Sequence, residues 1–177
     1  MNDDLSSAWK KWFLLNGTRL LLFARSQTHV EADAQDILQD AMLRLWKSYG
    51  SGNNEKWEPP PLPLAYTALR HAAIDMARKN TRRTRREQSS DYLVSDHAPA
   101  GDWFGTARLE EKEKSTALQK AMGQLPDNFR DVLVLKIWGE LTFARIADIL
   151  EIPANTAASR YRYALEALRK ILKPNSL

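Results

Sequence analysis

The chain of 177 residues contains no cysteine. That absence excludes disulfide frameworks, Cys-based zinc sites, iron–sulfur clusters and thiol nucleophiles together. Glycine is sparse, and its seven occurrences never form GxGxxG or GxxxxGKS/T, so no Gly-rich loop is available to cradle a phosphate. The three histidines, His29, His71 and His97, stand alone, without the i, i+4 partner of a helical metal site. No serine has a visible His–Asp pairing, and no catalytic residue, metal or cofactor is assigned. The longest apolar runs, Leu20 to Ala24 and Trp12 to Leu15, fall far short of the roughly 20 residues that cross a bilayer. Asp3 and Asp4 stand where a signal peptide carries positive charge. The expectation is a soluble, cytoplasmic protein without a membrane partner. Strand-like alternation of any length is also missing.

What is present is helical periodicity and basic charge. Lys and Arg number 26 against 22 Asp and Glu, and 44% of residues are hydrophobic, enough for a core. Residues 87–108 lack a sustained period and contain Ser, Asp, Pro99, Gly101 and Gly105, the marks of a flexible linker. Extended, about 22 residues span tens of ångströms, so the flanking bodies, 1–86 and 109–177, need not touch. Tyr92, Leu93, Trp103 and Phe104 are unusual in a tether; either they dock on a neighbouring surface or they make contacts only in a complex. The pattern predicts an all-α protein of two small domains.

Apolar spacing predicts a helix over Leu5 to Arg25. Thr28 and Glu31, three apart, have the spacing of a capping box opening a second helix from Val30 to Tyr49, with Ile37, Leu38, Ala41, Leu45 and Trp46 as its buried stripe. Pro59, Pro60, Pro61 and Pro63 predict a stiff extended loop before a third helix, Leu64 to Arg83. In the second half, helices are expected over Thr106–Met122, Pro126–Trp138, Thr142–Leu150 and Asn155–Leu172.

Two segments carry functional signals. Arg78 to Arg86, RKNTRRTRR, places six basic side chains in nine positions. It reads either as a solvated helix end or as a phosphate-binding strip whose affinity comes from counterion release. Arg70, His71 and Lys79 lie on the same predicted helix, and Tyr66 and Trp57 are aromatic surfaces for unpaired bases. Farther on, a short helix, a break at Glu151-Ile152-Pro153 and a longer helix, with small Ala147 and Ala157 ten residues apart, have the spacing of a helix-turn-helix. Thr156, Ser159, Arg160, Arg162 and Tyr163 fall on the outward side of its second helix. Asp33, Asp36 and Asp40 offer carboxylates at one-turn spacing, the chemistry of a hard-cation site or an acid–base pair; the expectation is instead a solvated acidic helix face.

Three blocks, EADAQDILQDAMLRLWKSY from Glu31, LAYTALRHAAIDMARKNTRR from Leu64 and LPDNFRDVLVLKIWGELTFARIADILEIPANTAASRYRYALEALRKIL from Leu125, make nearly the whole chain outside the linker resemble a sigma factor of the extracytoplasmic-function type, in the sigma-70 family. The resemblance implies a transcription initiation factor that binds core RNA polymerase and directs it to promoters. It further implies that Asp36, Gln39, Asp40, Leu43, Arg44 and Trp46 dock on the polymerase clamp. Trp57, Tyr66, Arg70, His71, Arg78, Lys79, Arg82 and Arg83 would serve the minus-ten element, a base being captured by the Trp57 to Pro63 loop. Arg145, Thr156, Ala158, Ser159, Arg160, Arg162 and Tyr163 would read the minus-thirty-five element, with the polymerase flap as the second body's partner. Many members are also held by an anti-sigma protein. Against the family pattern, Glu151 replaces a frequent Gly, Ala157 and Ala158 replace a Val and a basic residue, and Arg145 puts a cation near a helix N-terminus, where phosphate contact is expected to compensate. The alternative from another class is a stand-alone helix-turn-helix regulator that binds operator DNA; a third is a purely structural helical module.

Overall fold

The computed structural model describes residues 2–28, 30–49, 58–87 and 109–173. They form seven helices: α1 (Asn2–Ser26), α2 (Glu31–Tyr49), α3 (Leu62–Glu87), α4 (Leu109–Gln124), α5 (Asp127–Ile137), α6 (Phe143–Leu150) and α7 (Ala154–Leu172). No strand occurs among the described residues. The linker 88–108, with Tyr92, Leu93, Trp103 and Phe104, lies outside them.

α1, α2 and α3 pack on one another around Leu20, Phe23, Ile37, Ala41, Tyr66 and Leu69, all at most 1% exposed. Burying each large side chain of this kind contributes about 1.5–3 kcal/mol. One end of the α1–α2 seam is aromatic: the Trp9 ring centroid lies 5.4 Å from Trp12 and 5.3 Å, edge-on, from Trp46. α2 does not open with the expected capping box. Thr28 Oγ1 accepts from the Val30 N–H at 3.2 Å, while Glu31 turns to Arg25, which donates to both carboxylate oxygens at 2.7–3.1 Å. The bidentate pair closes the α1–α2 corner and outweighs a weaker backbone contact. α3 starts earlier than the proline pattern predicts, because Pro63 falls in its first turn, where the missing N–H has no intrahelical acceptor to lose. At its other end, α3 runs to Glu87, the residue expected to begin the linker.

In the second body, Arg130 is 3% exposed. Its guanidinium donates to the Met122 and Leu125 carbonyls at 2.9 and 2.8 Å, satisfying the orphan acceptors at the end of α4, and meets Asp127 at 3.2 Å. α6 opens on Thr142, whose hydroxyl accepts from the Arg145 N–H at 3.3 Å. Ala147 and Ala157 are both buried, as expected where α6 and α7 meet. The turn between them is built on Glu151 at φ 55°, ψ 46°, with the N–H groups of Glu151 and Ile152 both reaching the Ala147 carbonyl. The position thus keeps the left-handed geometry that favours glycine, with a side chain in place.

The two bodies touch, a contact that the length of the linker left open. α1 packs against α5, and α3 against α6. From Arg130 to Leu135 every residue of α5 is buried, with α1 packed on the helix in addition to α6 and α7.

Glu151→Gly is expected to stabilise the second body by roughly 0.5–1 kcal/mol, the left-handed strain relieved less the backbone entropy added to the unfolded chain. Thermal unfolding followed by circular dichroism checks it.

Candidate docking face and nucleic-acid interface

α2 buries Ala34, Ile37, Ala41, Met42 and Leu45, and this register turns Asp36, Gln39, Asp40 and Leu43 outward. Leu43 is 52% exposed, a large apolar side chain amid carboxylates. A depression flanks the ridge on each side, and Gln39 and Leu43 line both. One, of about 630 Å³, is walled by Trp9, Phe13, Leu38 and Trp46; the other, of about 460 Å³, holds Asp33, Asp36, Asp40 and Asp75. Apolar area beside fixed acidic groups suits a partner that offers both a buried contact and basic side chains. Two residues of the expected docking block have intramolecular duties. Trp46 is half-buried against Trp9, and Arg44 braces α2 on α3 through two bonds of 3.1 Å to Asp75 and a 2.7 Å ion pair with Asp40. Hydrogen bonding to Asp75, then the charge of Asp40, raises the Arg44 pKa above its usual value despite slight desolvation.

The basic strip is the exposed C-terminal half of α3. Arg78, Lys79, Arg82, Arg83 and Arg85 all project into solvent along it. Thr81 and Thr84 return their hydroxyls to the Ala77 and Asn80 carbonyls, leaving the cations as the chemistry of this face. The rest of the expected minus-ten set is placed differently. Tyr66 is wholly buried, edge-on to Phe23 with centroids 5.3 Å apart, and burial pushes its phenol up to about 12. Its ring is core, not a stacking surface. Arg70 is half-buried and donates to the Leu150 carbonyl at 3.3 Å, while His71 Nε2 lies 3.9 Å from Glu151. Both therefore face the second body. Trp57 lies outside the described residues; of the loop, Pro60 is buried while Pro59 and Pro61 are exposed.

On α7, Ala157, Ala164 and Leu168 face inward, leaving Arg162 and Tyr163 exposed and Thr156, Ala158, Ser159 and Arg160 half-exposed. Tyr163 stacks on Phe129 with centroids 6.4 Å apart, and the Arg162 guanidinium lies 5.0 Å from the Tyr163 ring centroid. Ser159 spends its proton on the Asn155 carbonyl at 2.6 Å, so its oxygen is left as an acceptor. Arg145 is exposed, and Asp148 at 3.8 Å offsets its unfavourable place in the first turn of α6. It lines a cleft of about 340 Å³ shared with Pro61, Pro63 and Thr67 of the first body.

Sequence reasoning missed Asp131. It is 9% exposed on α5 and accepts from Ser26 Oγ at 3.0 Å and Gln27 Nε2 at 2.6 Å, both at the end of α1. Burial raises its carboxyl from 3.8 to about 6. The two hydrogen bonds and the Arg70 charge from α3 oppose the rise, while Asp127 on its own helix adds to it. The signal that existed was an acidic residue opening the apolar run DVLVL, where a solvated carboxylate is out of place.

Among the described residues, no helix is long and apolar enough to cross a membrane, and no group of three His, Asp or Glu is arranged to hold a metal ion.

Comparison with known proteins gives a consistent pattern. Residues 12–83 match Sigma-70 region 2, and residues 121–170 match Sigma-70, region 4. The chain is 43% identical over 153 residues to the ECF RNA polymerase sigma factor SigW of Bacillus subtilis, covering 80% of this chain and 76% of that one. It is 27% identical over 154 residues to the RNA polymerase sigma-H factor of Pseudomonas aeruginosa, covering 82% and 76%. In fold it is similar to the sigma factor RpoE solved in complex with the anti-sigma factor NepR from Bartonella quintana, with a TM-score of 0.67 and 22% identity over 94% of this chain and 97% of that one.

Because the folded carboxyl at Asp131 holds its proton from 3.8 up to about 6, where the unfolded one has lost it, stability falls as pH rises through that window and levels above it. Thermal midpoints measured across the window are expected to show this decline, and Asp131→Asn is expected to lack it.

Proposed function

We propose, for a chain that belongs to the extracytoplasmic-function branch of the sigma-70 family and so directs RNA polymerase to promoters, a division of labour between its two bodies. The first, residues 1–86, docks on the polymerase clamp through the α2 ridge and engages the minus-ten element with α3. The second, residues 109–177, reads the minus-thirty-five element with α7 and meets the polymerase flap. Residues 87–108 connect them. The protein performs no catalysis of its own and uses neither metal nor cofactor. Base pairs are opened by binding energy: holding one extruded base offsets an unstacking cost of a few kcal/mol.

The observation that carries this reading is the outward register of α2. Asp36, Gln39, Asp40 and Leu43 form one continuous exposed ridge, backed by the packed Trp9–Trp46 pair. Leu43 stands between an apolar depression and an acidic one, so a partner set on the ridge gains both buried area and charges to pair. The basic half of α3 supplies sequence-independent phosphate affinity, so it holds the duplex near the bases without choosing among them. On α7, Arg160, Arg162, Thr156 and Ser159 have donors and acceptors for base edges and phosphates. Ala158 presents only a methyl group, which fits a thymine methyl and removes one polar contact. Arg145, at the rim of the same face, serves as a phosphate contact once the cleft beside it opens.

The work of the protein places it in the cytoplasm. Control by an anti-sigma partner fits the same surfaces, since a chain covering the α2 ridge blocks polymerase docking.

Co-purification with bacterial core polymerase tests the reading against a stand-alone operator-binding regulator, which predicts no association. Leu43→Glu is expected to weaken capture of core by more than tenfold, while the circular dichroism spectrum stays unchanged because the side chain is exposed. In run-off transcription with reconstituted holoenzyme, Arg82→Ala is expected to weaken promoter binding alike across sequences and to reduce the slope of log K against log salt by about 1.

A further inference from the structure

A stack of three side chains runs from α5 to the outward face of α7. Phe129, in the first turn of α5, packs against Tyr163 with ring centroids 6.4 Å apart and planes 29° from parallel. The Tyr163 ring in turn carries the Arg162 guanidinium, whose central carbon lies 5.0 Å from the centroid. Arg162 Nη2 also donates to Tyr163 Oη at 3.3 Å. The base of the stack is fixed. Phe129 is followed by Arg130, which is 3% exposed and donates to the Met122 and Leu125 carbonyls, so α5 cannot turn about its axis without breaking both bonds. Glu166, one helical turn beyond Arg162, could claim the guanidinium at the top, but Lys170 engages that carboxylate at 2.9 Å. The bond to Lys170 is also what chiefly holds the Glu166 carboxyl below its usual range, with the Arg162 charge a lesser cause. Arg162 is thus kept on the ring.

We propose that Tyr163 and Phe129 are positioning residues for promoter reading, which hold the Arg162 guanidinium as a fixed fork for a guanine edge in the minus-thirty-five duplex. The proposal rests on the reading of α7 as the helix that enters that duplex, and deepens it by naming a base-reading side chain and its support. A guanidinium presents parallel donors that match guanine O6 and N7 in the major groove. Left to itself, so long a side chain samples many rotamers and must give up that freedom on binding. A ring beneath the planar group removes much of the freedom beforehand. One N–H of Nη2 is committed to Tyr163 Oη, and the others, both on Nη1 among them, are left for a base. The register of α7 suits this role. Ala157 and Ala164 face inward, while Ser159 and Arg162, three residues apart, share the outward side. Tyr163 reaches across to α5 instead, so its ring serves the arginine rather than a base. A phosphate contact would use the Arg162 charge but would have no need of a fixed plane.

Two readouts separate this role from a merely structural one and from direct contact by Tyr163. The first is nuclear magnetic resonance of the free full-length chain with labelled arginine. The Arg162 δ-methylene protons are expected upfield of those of exposed Arg82, shifted by the ring current, and Tyr163→Leu is expected to return them. The second is equilibrium binding of reconstituted holoenzyme to promoters carrying each single base-pair change in the minus-thirty-five element. Tyr163→Leu and Phe129→Leu are each expected to lower discrimination about threefold at one base pair, the same one at which Arg162→Ala acts. The slope of log K against log salt is expected to stay unchanged in both, because the charge remains. Added to Arg162→Ala, either substitution is expected to change nothing further. Tyr163 is 47% exposed, so its replacement spares the core, and the circular dichroism signal verifies folding. Unshifted Arg162 methylenes, a loss spread evenly over all base pairs, or effects that add to that of Arg162→Ala would each overturn the positioning role. A shifted Arg162 signal in a protein whose Arg162→Ala holoenzyme discriminates as wild type does would sink the reading of α7, and promoter positioning with it. The intact stack sets that failure apart from the others.

Discussion

Helix α5 has no long side to give to water. From Arg130 to Leu135 each of its residues is buried, and its neighbours include α1 of the first body as well as α6 and α7. A stretch of helix buried at six successive positions must be covered on every side, and α1 of the first body supplies part of that cover. The compact arrangement follows from that need. Once α1 lies on α5, the end of α1 brings Ser26 and Gln27 to Asp131, α3 comes to rest on α6, and Arg70 finds the Leu150 carbonyl. The apolar contact supplies the attraction and the polar groups set the register.

Most of the architecture was legible in the order of residues. The apolar stripe of α2, the break after Leu150 and the small residues at Ala147 and Ala157 each obey local rules, and the structure has them where those rules place them. Helix ends were less readable. Pro63 reads as a breaker in isolation and proves compatible with the first turn of α3, and Glu31 reads as a capping residue but takes a stronger partner in Arg25. The contact between the bodies was not read at all, because it joins positions 80 to 105 residues apart and no periodicity encodes such a pairing. A trace existed in DVLVL, which is too apolar for a helix with one wet face.

The site residues divide along the same line. Asp36, Gln39, Asp40 and Leu43 are available because a helical register puts them outside, and register can be deduced from the pattern of apolar residues. Arg78, Lys79 and Arg82 are exposed because so much like charge has nowhere else to go. Tyr66 and Arg70, by contrast, sit on the part of α3 that turns toward Phe23 and α6, while His71 stays exposed beside Glu151. Their types suggested base stacking and phosphate contact, but residue type alone does not say which side of a helix a neighbouring domain will occupy. Arg44 gives a related lesson: a cation inside a docking block can be committed to holding two helices together.

The double cover on α5 has a consequence for any complex in which the bodies stand apart. Lifting α1 away would strand an oily stripe in solvent, and a small protein cannot tolerate that for long. Whatever holds the spread form must therefore supply a greasy replacement surface or suffer a steep loss in affinity. A fragment cut free within the connecting segment would carry the same bare stripe, and its natural remedy is to clump with its own kind.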